Sequence, residues 1–486
     1  MKKLLLFFFA FALLHNAMGQ QWNITLGNES KSLSYNRSSV IQRTGFIGSL
    51  DNTIYLMRFT DERKSKPYLV AYDRDLNEKG RVELPAEKEK TLYGGFANEG
   101  SIDLLMTEST DEVYNAYRLS FDPQTLQKKN EHQLASFKKG KDRKNFTFVG
   151  TSQSQEWLSI MFALVQDNDA EWVINLYDTQ LEELWSMDFH MDVIDDYMVT
   201  DSGEVLLGGF YNKKNSDDIR LEFAVLDGES EARYSDVGQW EDMQTMEIVR
   251  YDGGKIYCTG LLRGEELEKN GSRWSSGFYS LVYDTREKRV TLFEKKVFTK
   301  EDVCDLCNVS HRNRMKVVST DKLSFVNAVC DNDGTVVEFE RSYNLLVNHV
   351  PTFTAYMGVL VYRIDNAGHI VWQKIINREV QTPAEATNAV NSKLFVHDGK
   401  YTMFYMEDPK NLEAKPDTPL KPTSTDKAKQ ILLALTFDKQ GNVSRQALQI
   451  PSKAFCIGAP HLLADGSYML FLSQQFKSYV AILKYL

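Results

Sequence analysis

The most reactive side chains by spacing are in Cys304-Asp305-Leu306-Cys307, with His311 four residues beyond. Two thiols separated by two residues have the spacing of half a zinc site or of a redox dithiol. Structural zinc takes four ligands, and the nearest further sulfur, Cys330, lies in an apolar run. A redox dithiol needs a helix opening at its first cysteine. The expectation is a Cys304–Cys307 disulfide closing a loop, with unpaired thiols and metal or redox use as the alternatives. Downstream, residues 329–340 (VCDNDGTVVEFE) place Asp331, Asp333, Gly334 and Glu340 at the third, fifth, sixth and twelfth positions of a calcium loop, but Val329 takes the place of the leading carboxylate. An Asp333-Gly334 hairpin turn accounts for the same residues more simply. Calcium at Asp331, Asp333 and Glu340 is the lesser reading, and no other cofactor or metal is expected.

Other chemistry has less support. Acidic neighbours such as Asp195-Asp196 and Asp217-Asp218 are common in a chain with 67 Asp and Glu against 57 Lys and Arg. A glycosidase pair must face across a pocket about 5–10 Å apart, which adjacency does not report. The histidines form no H-E-x-x-H pair, and no G-x-S-x-G elbow occurs. No catalytic residue is therefore assigned. The formal net charge of −10 disfavours a nucleic-acid partner.

The elements that would position such residues begin with a leader. Lys2 and Lys3, an apolar run over residues 4–14, and Ala17 and Gly19 have the layout of a secretory signal, with cleavage expected after Gly19. That leader is too short to span a bilayer, and no later stretch is long and apolar enough to do so. Periplasmic or extracellular destination is the expectation. Five scattered cysteines are too few for a disulfide framework.

Beyond the leader, one pattern returns throughout. Residues 172–185 (WVINLYDTQLEELW) read as an alternating strand ending in an aspartate, a polar turn, and a second strand entered at Trp185. The plan recurs at 358–372, where Asp365 and Trp372 are again seven apart. Equivalent aspartates are Asp73, Asp122, Asp178, Asp227, Asp284, Asp365 and Asp438, separated by 49, 56, 49, 57, 81 and 73 residues. Such aspartates are turn formers whose side chains accept from nearby amides. About 50 residues per four-stranded unit is the period of a propeller blade.

Groups of up to four strands follow, with almost no helical periodicity. The all-β fold expected is a β-propeller of eight four-stranded blades, with seven as the alternative. The eighth group has three strands, and residues 22–26 can supply its fourth, closing the ring and removing both free edges. Residues 20–486 then form a single domain. It carries insertions at about 334–357 and 408–430, the latter rich in proline and lysine and read as a mobile surface loop.

The hairpin resembles a degenerate form of the tryptophan-docking repeat of quinoprotein-like (PQQ-repeat, WD-like) propellers. In that superfamily the aspartate and a turn glycine shape the hairpin, and the tryptophan packs between blades. Here only Trp185 and Trp372 occupy the docking position, Tyr234 substitutes, and turn glycines fall at Gly368 and Gly441; elsewhere the position is Gly80, Lys129, Thr291 or Arg445. Quinone-dependent members carry a disulfide between adjacent cysteines, and no two cysteines here are adjacent. The resemblance is closer to non-catalytic scaffolds, and to uncharacterised exported bacterial propellers. It implies a scaffold binding a protein or glycan through its loop face. A carbohydrate-active enzyme, a glycoside hydrolase or lyase with acidic residues at the channel mouth, is the alternative.

Overall fold

In the computed structural model, the described residues are 22–26, 45–58, 67–85, 89–138, 144–152, 156–166, 169–191, 193–212, 219–238, 240, 242–267, 273–308, 323–347, 350–383, 394–414, 419–424, 430–450, 455–463, 465–474 and 477–485. The leader, His311 and Asp217-Asp218 lie outside them. The strands form eight sheets with antiparallel four-stranded blades, seven of them built in chain order from neighbouring segments. Seven blades span residues 45–83, 90–138, 144–189, 196–238, 247–297, 323–376 and 395–448, numbered 1 to 7 here. Blade 8 takes Phe455–Leu462, Tyr468–Gln474 and Lys477–Tyr485, and its outermost strand is Trp22–Leu26, paired antiparallel from Trp22↔Tyr485 to Leu26↔Ala481. The expected strand exchange closes the ring.

The core confirms the count. Buried apolar side chains fall into eight clusters, and each lies between two successive blades, including one between blades 8 and 1. A blade flanked on both faces needs apolar residues at every position of a central strand, which is why Tyr68–Tyr72 and Ile431–Phe437 are buried throughout. The fourth strand of each blade is outermost and alternates instead, as in Glu231–Gly238. No helix among the described residues is long and apolar enough to cross a membrane.

The seven repeat aspartates all sit at the hairpin between third and fourth strands. Each carboxylate accepts from backbone amides just ahead: Asp178 from Gln180 and Glu182, Asp365 from Ala367 and His369, Asp438 from Gln440 and Asn442. Asp73 accepts from Asn77, Asp122 from Gln124 and Thr125, Asp227 from Glu229 and Ser230, and Asp284 from Arg286 and Glu287. Trp185 lies on Gly228 of the next blade, where an added Cβ would come within 2.4 Å of the indole; Trp372 covers Gly441 in the same way. The scarcity of tryptophan has a packing explanation. Leu76, Leu126 and Leu181 hold the left-handed turn conformation themselves (φ +63°, +56° and +56°), and their side chains are buried. Leu126 of blade 2 rests over Gly80 of blade 1, the small residue now standing where tryptophan stands in blade 3. Burying the leucine, worth about 2 kcal/mol, offsets the roughly 1–2 kcal/mol of backbone strain.

Blade 6 departs from its expected register. Leu323–Asp331 is its first strand and Gly334–Val347 its second, joined by a two-residue turn at Asn332-Asp333. The stretch 334–357 is therefore no loop insertion: it is the second strand and part of the third, Val350–Asp365, prolonged into a long hairpin. Glu338 and Glu340 disguise it, because carboxylates rarely occupy buried strand positions; here both are buried.

Candidate functional site

Strand order assigns different roles to the two faces of the ring. First-to-second and third-to-fourth connections share one face, and all are short, for example 51–52, 253–254 and 398–399. Second-to-third and blade-to-blade connections share the opposite face and include every long one. Function on a propeller is carried by connections that vary, so the long-connection face holds the candidates.

The elaboration centres on blades 6 and 7. The prolonged hairpin of blade 6 gains Val380–Pro383, which pairs with its third strand, and Thr423–Ser424, which pairs parallel to that segment. The second of these belongs to the stretch 408–430, so its described part is anchored rather than mobile. Asn411 is buried and exchanges hydrogen bonds with the Lys421 backbone, its amide donating to the carbonyl at 2.9 Å and its carbonyl accepting from the N–H at 2.9 Å. Asn308 does the same with Leu420 and also donates to Glu379 at 2.7 Å. Asparagine amides thus stand in for missing backbone partners, a satisfaction that a Pro- and Lys-rich composition does not reveal.

Beneath this layer is fully buried Arg378. It forms an ion pair with buried Glu340, its Nε donates to the Met357 carbonyl at 3.3 Å, and its guanidinium lies 5.4 Å from the Tyr405 ring. Burial lowers its pKa to about 10, opposed by the Glu338, Tyr405 and Glu407 charges. Burial also raises Glu407, whose carboxylate accepts from Asn411 at 2.6 Å. A buried cation paired with Glu340 and held near Glu338 and Glu407 is structural cement for the extension.

A second cluster stands at the channel mouth of the same face. Asp196 begins the innermost strand of blade 4 and Glu247 that of blade 5, so both sit where these strands leave the long-connection face. Asp195 precedes them and is the exposed member. Burial first, then the Asp196 and Asp195 charges, push Glu247 up to about 8. Burial raises Asp196 to about 6 against the Ile248 N–H, which donates to it at 2.6 Å. Asp195 is raised by desolvation, with the Phe210 N–H donating at 2.8 Å in opposition. Near neutral pH Glu247 holds its proton beside an ionised Asp196, a combination that suits proton transfer. Adjacency marked Asp195-Asp196 in the sequence; Glu247 carried no signal, because its partnership exists only across a blade interface.

The residues singled out for other chemistry are dispersed. Cys304 and Cys307 are buried thiols, not the expected disulfide. They lie on and just past the short helix α1 (Lys300–Leu306), which replaces the expected loop. The helix was legible in part: Thr299 and Asp302 form a capping box, the side chain of each accepting the backbone N–H of the other. The cysteines close this helix rather than open it, opposite to a redox dithiol. The carboxylates of the calcium reading are held by other partners. Asp331 accepts from the Tyr401 hydroxyl and faces Arg363 at 3.5 Å, Asp333 pairs with Lys439, and Glu340 lies far along the strand with Arg378. No cluster of three metal-ligating side chains occurs among the described residues.

No protein-family model and no curated protein matches this sequence. Among solved structures, the chain is similar to the β-propeller domain of a trilobed protease from Pyrococcus furiosus, at 10% identity over 84% of this chain and 97% of that one, with a TM-score of 0.36. A polysaccharide lyase, an ulvan lyase, gives 10% identity over 93% and 95% and a TM-score of 0.39. Prolyl oligopeptidase B from Galerina marginata gives 9% over 93% of this chain and 56% of that one, with a TM-score of 0.40. The eight-bladed propeller itself is established by the sheet order and by the eight interfaces between blades.

Proposed function

We propose that this chain is an exported, non-catalytic propeller of the quinoprotein-like kind that holds a protein or glycan partner on its long-connection face. The observation that carries the reading is the built layer over blades 6 and 7. A six-stranded sheet, a 3-10 turn at Pro409–Glu413 and buried Asn308, Asn411 and Arg378 fix connections that could otherwise have been short. Pre-ordering a surface in this way lowers the entropy lost on binding. The lysine-led apolar leader supports export to the periplasm or beyond.

A second reading, a carbohydrate-active enzyme, is favoured by the Asp195–Asp196–Glu247 group. One experiment separates the two. The intact chain and a variant with 409–429 replaced by a short glycine-serine link are used in pull-downs and on a glycan array, beside a polysaccharide turnover assay. Capture by the intact chain and its loss in the variant is the expected result. Capture that survives the replacement overturns the face assignment, and turnover abolished by Glu247→Gln establishes the enzyme.

A further inference from the structure

The short-turn half of the channel holds a cavity of about 410 Å³. Its walls come from the innermost strands of four successive blades, 8, 1, 2 and 3, through residues such as His461, Phe46, Phe96 and Val149. Gly94 to Phe96 end the innermost strand of blade 2, Thr151 ends that of blade 3, and His461 stands next to the end of that of blade 8. That places the cavity in the short-turn half of the channel; Gly94, opposite Leu105, stands as far from the turn as Asp196, opposite Gly208, so the cavity reaches up to the level of the carboxylates but lies against other blades.

Its lining is unusual for this protein. In a chain with 26% charged residues, none of the described residues around the cavity is aspartate, glutamate, lysine or arginine. Phe46 and His461 stack across the blade 8–blade 1 boundary, with centroids 5.2 Å apart and planes at 25°. A β-bulge between Leu92 and Gly94 leaves Tyr93 as the extra residue and turns its ring outward, 41% exposed. Bulges of this kind re-aim a side chain at a site.

The floor is backbone. Gly94 has φ +138°, a conformation that favours glycine, and a Cβ built there would meet nothing within 4 Å. Among the described residues the strand that carries it pairs with Ile102–Ser109 alone, so its other edge turns amide donors and carbonyl acceptors to the channel, with open space over Gly94. Flat aromatic walls, a polar backbone floor and no charge select a ligand with an apolar ring face, hydroxyl groups in its plane and no ionised group. A phosphate or carboxylate ligand would lack a cationic partner here. A wholly apolar ligand would strip water from the open backbone groups and replace none of their hydrogen bonds.

From this we infer that the short-turn end of the channel is a binding site for a neutral saccharide, held by stacking on Tyr93 and Phe46 and by hydrogen bonds to the Gly94-Gly95 backbone. The site stands independently of the partner reading for the opposite face. Cellobiose, maltose and chitobiose are titrated into the full chain by calorimetry and saturation-transfer NMR, with digalacturonic acid and indole as the charged and the purely apolar probes. At least one neutral disaccharide is expected to bind. Tyr93→Ala should weaken it about tenfold, and Tyr93→Phe, which keeps the ring, should stay within about threefold. Because Tyr93 is part-exposed, its truncation opens no core cavity, and an unchanged unfolding midpoint in Tyr93→Ala verifies this. The 409–429 replacement should bind as the intact chain does, which separates this site from the partner face. Silence from all three neutral sugars, preference for digalacturonic acid or indole, binding indifferent to Tyr93→Ala, or binding lost with the 409–429 replacement would each overturn the assignment.

Discussion

Among the channel carboxylates, Glu247 is the one whose surroundings favour the neutral form most. With its pKa raised to about 8, the folded chain holds a proton there that the unfolded chain releases at an ordinary carboxylate pKa. The stabilisation is complete below about pH 4.5 and is lost as pH rises through about 8, amounting to a few kcal/mol on the order expected for such a shift. Asp196, at about 6, adds a smaller loss in the lower part of that window. Glu247→Gln, neutral at every pH, should flatten the fall in unfolding midpoint between pH 5 and 8 and raise the midpoint at pH 8. An identical pH slope in wild type and variant would show that Glu247 titrates normally.

Around blades 6 and 7 the extension depends on one buried cation. Arg378→Met leaves Glu340, Glu338 and Glu407 facing one another without it, and removing one partner of a buried pair costs about 3–5 kcal/mol. The loss should be local before it is global. Hydrogen exchange at Val380–Pro383 and Thr423–Ser424 is expected to accelerate while Tyr68–Tyr72 in blade 1 stays protected. Uniform acceleration around the ring would mean that the arginine supports the whole propeller. The Asp-turn hairpins show the same economy of parts in another form. Trp185 over Gly228 and Leu126 over Gly80 fill one kind of inter-blade gap from opposite sides, so large and small residues have exchanged places without changing the interface.

For the ring as a unit, closure rests on Trp22–Leu26. Trp22 is buried among Phe395, Phe404, Tyr468 and Tyr485, with ring centroids 4.8–5.8 Å away, and its backbone exchanges hydrogen bonds with the Gln446 amide at 2.7 and 2.6 Å. Removing residues 22–26 exposes the edge of Lys477–Tyr485 and opens the cluster between blades 7 and 8. Light scattering of that deletion should reveal concentration-dependent self-association, because an uncovered edge strand recruits another chain. A variant that stays monodisperse with an unchanged unfolding midpoint would show that the strand is dispensable.

The amino-acid order alone gave away the strand-rich character, the aspartate turns, a repeat of eight blades with seven as the alternative, and the donor of the closing strand. Each of these is written in local alternation or in the recurrence of one hairpin pattern, and neither requires knowledge of what lies across an interface. The register of blade 6 was hidden for the opposite reason. Glu338 and Glu340 read as surface residues until Arg378, some forty positions along, is brought against them. Spacing along the chain proposed partners for Asp331, Asp333 and Glu340 and for Cys304 and Cys307, but strand pairing sets those carboxylates against Tyr401, Lys439 and Arg378, and the cysteines stand as buried thiols at the end of α1. Glu247 gained its neighbours, and Gly94 its open floor, only when blades were set edge to edge around the channel, since burial and Coulomb interactions depend on distance in space rather than along the sequence.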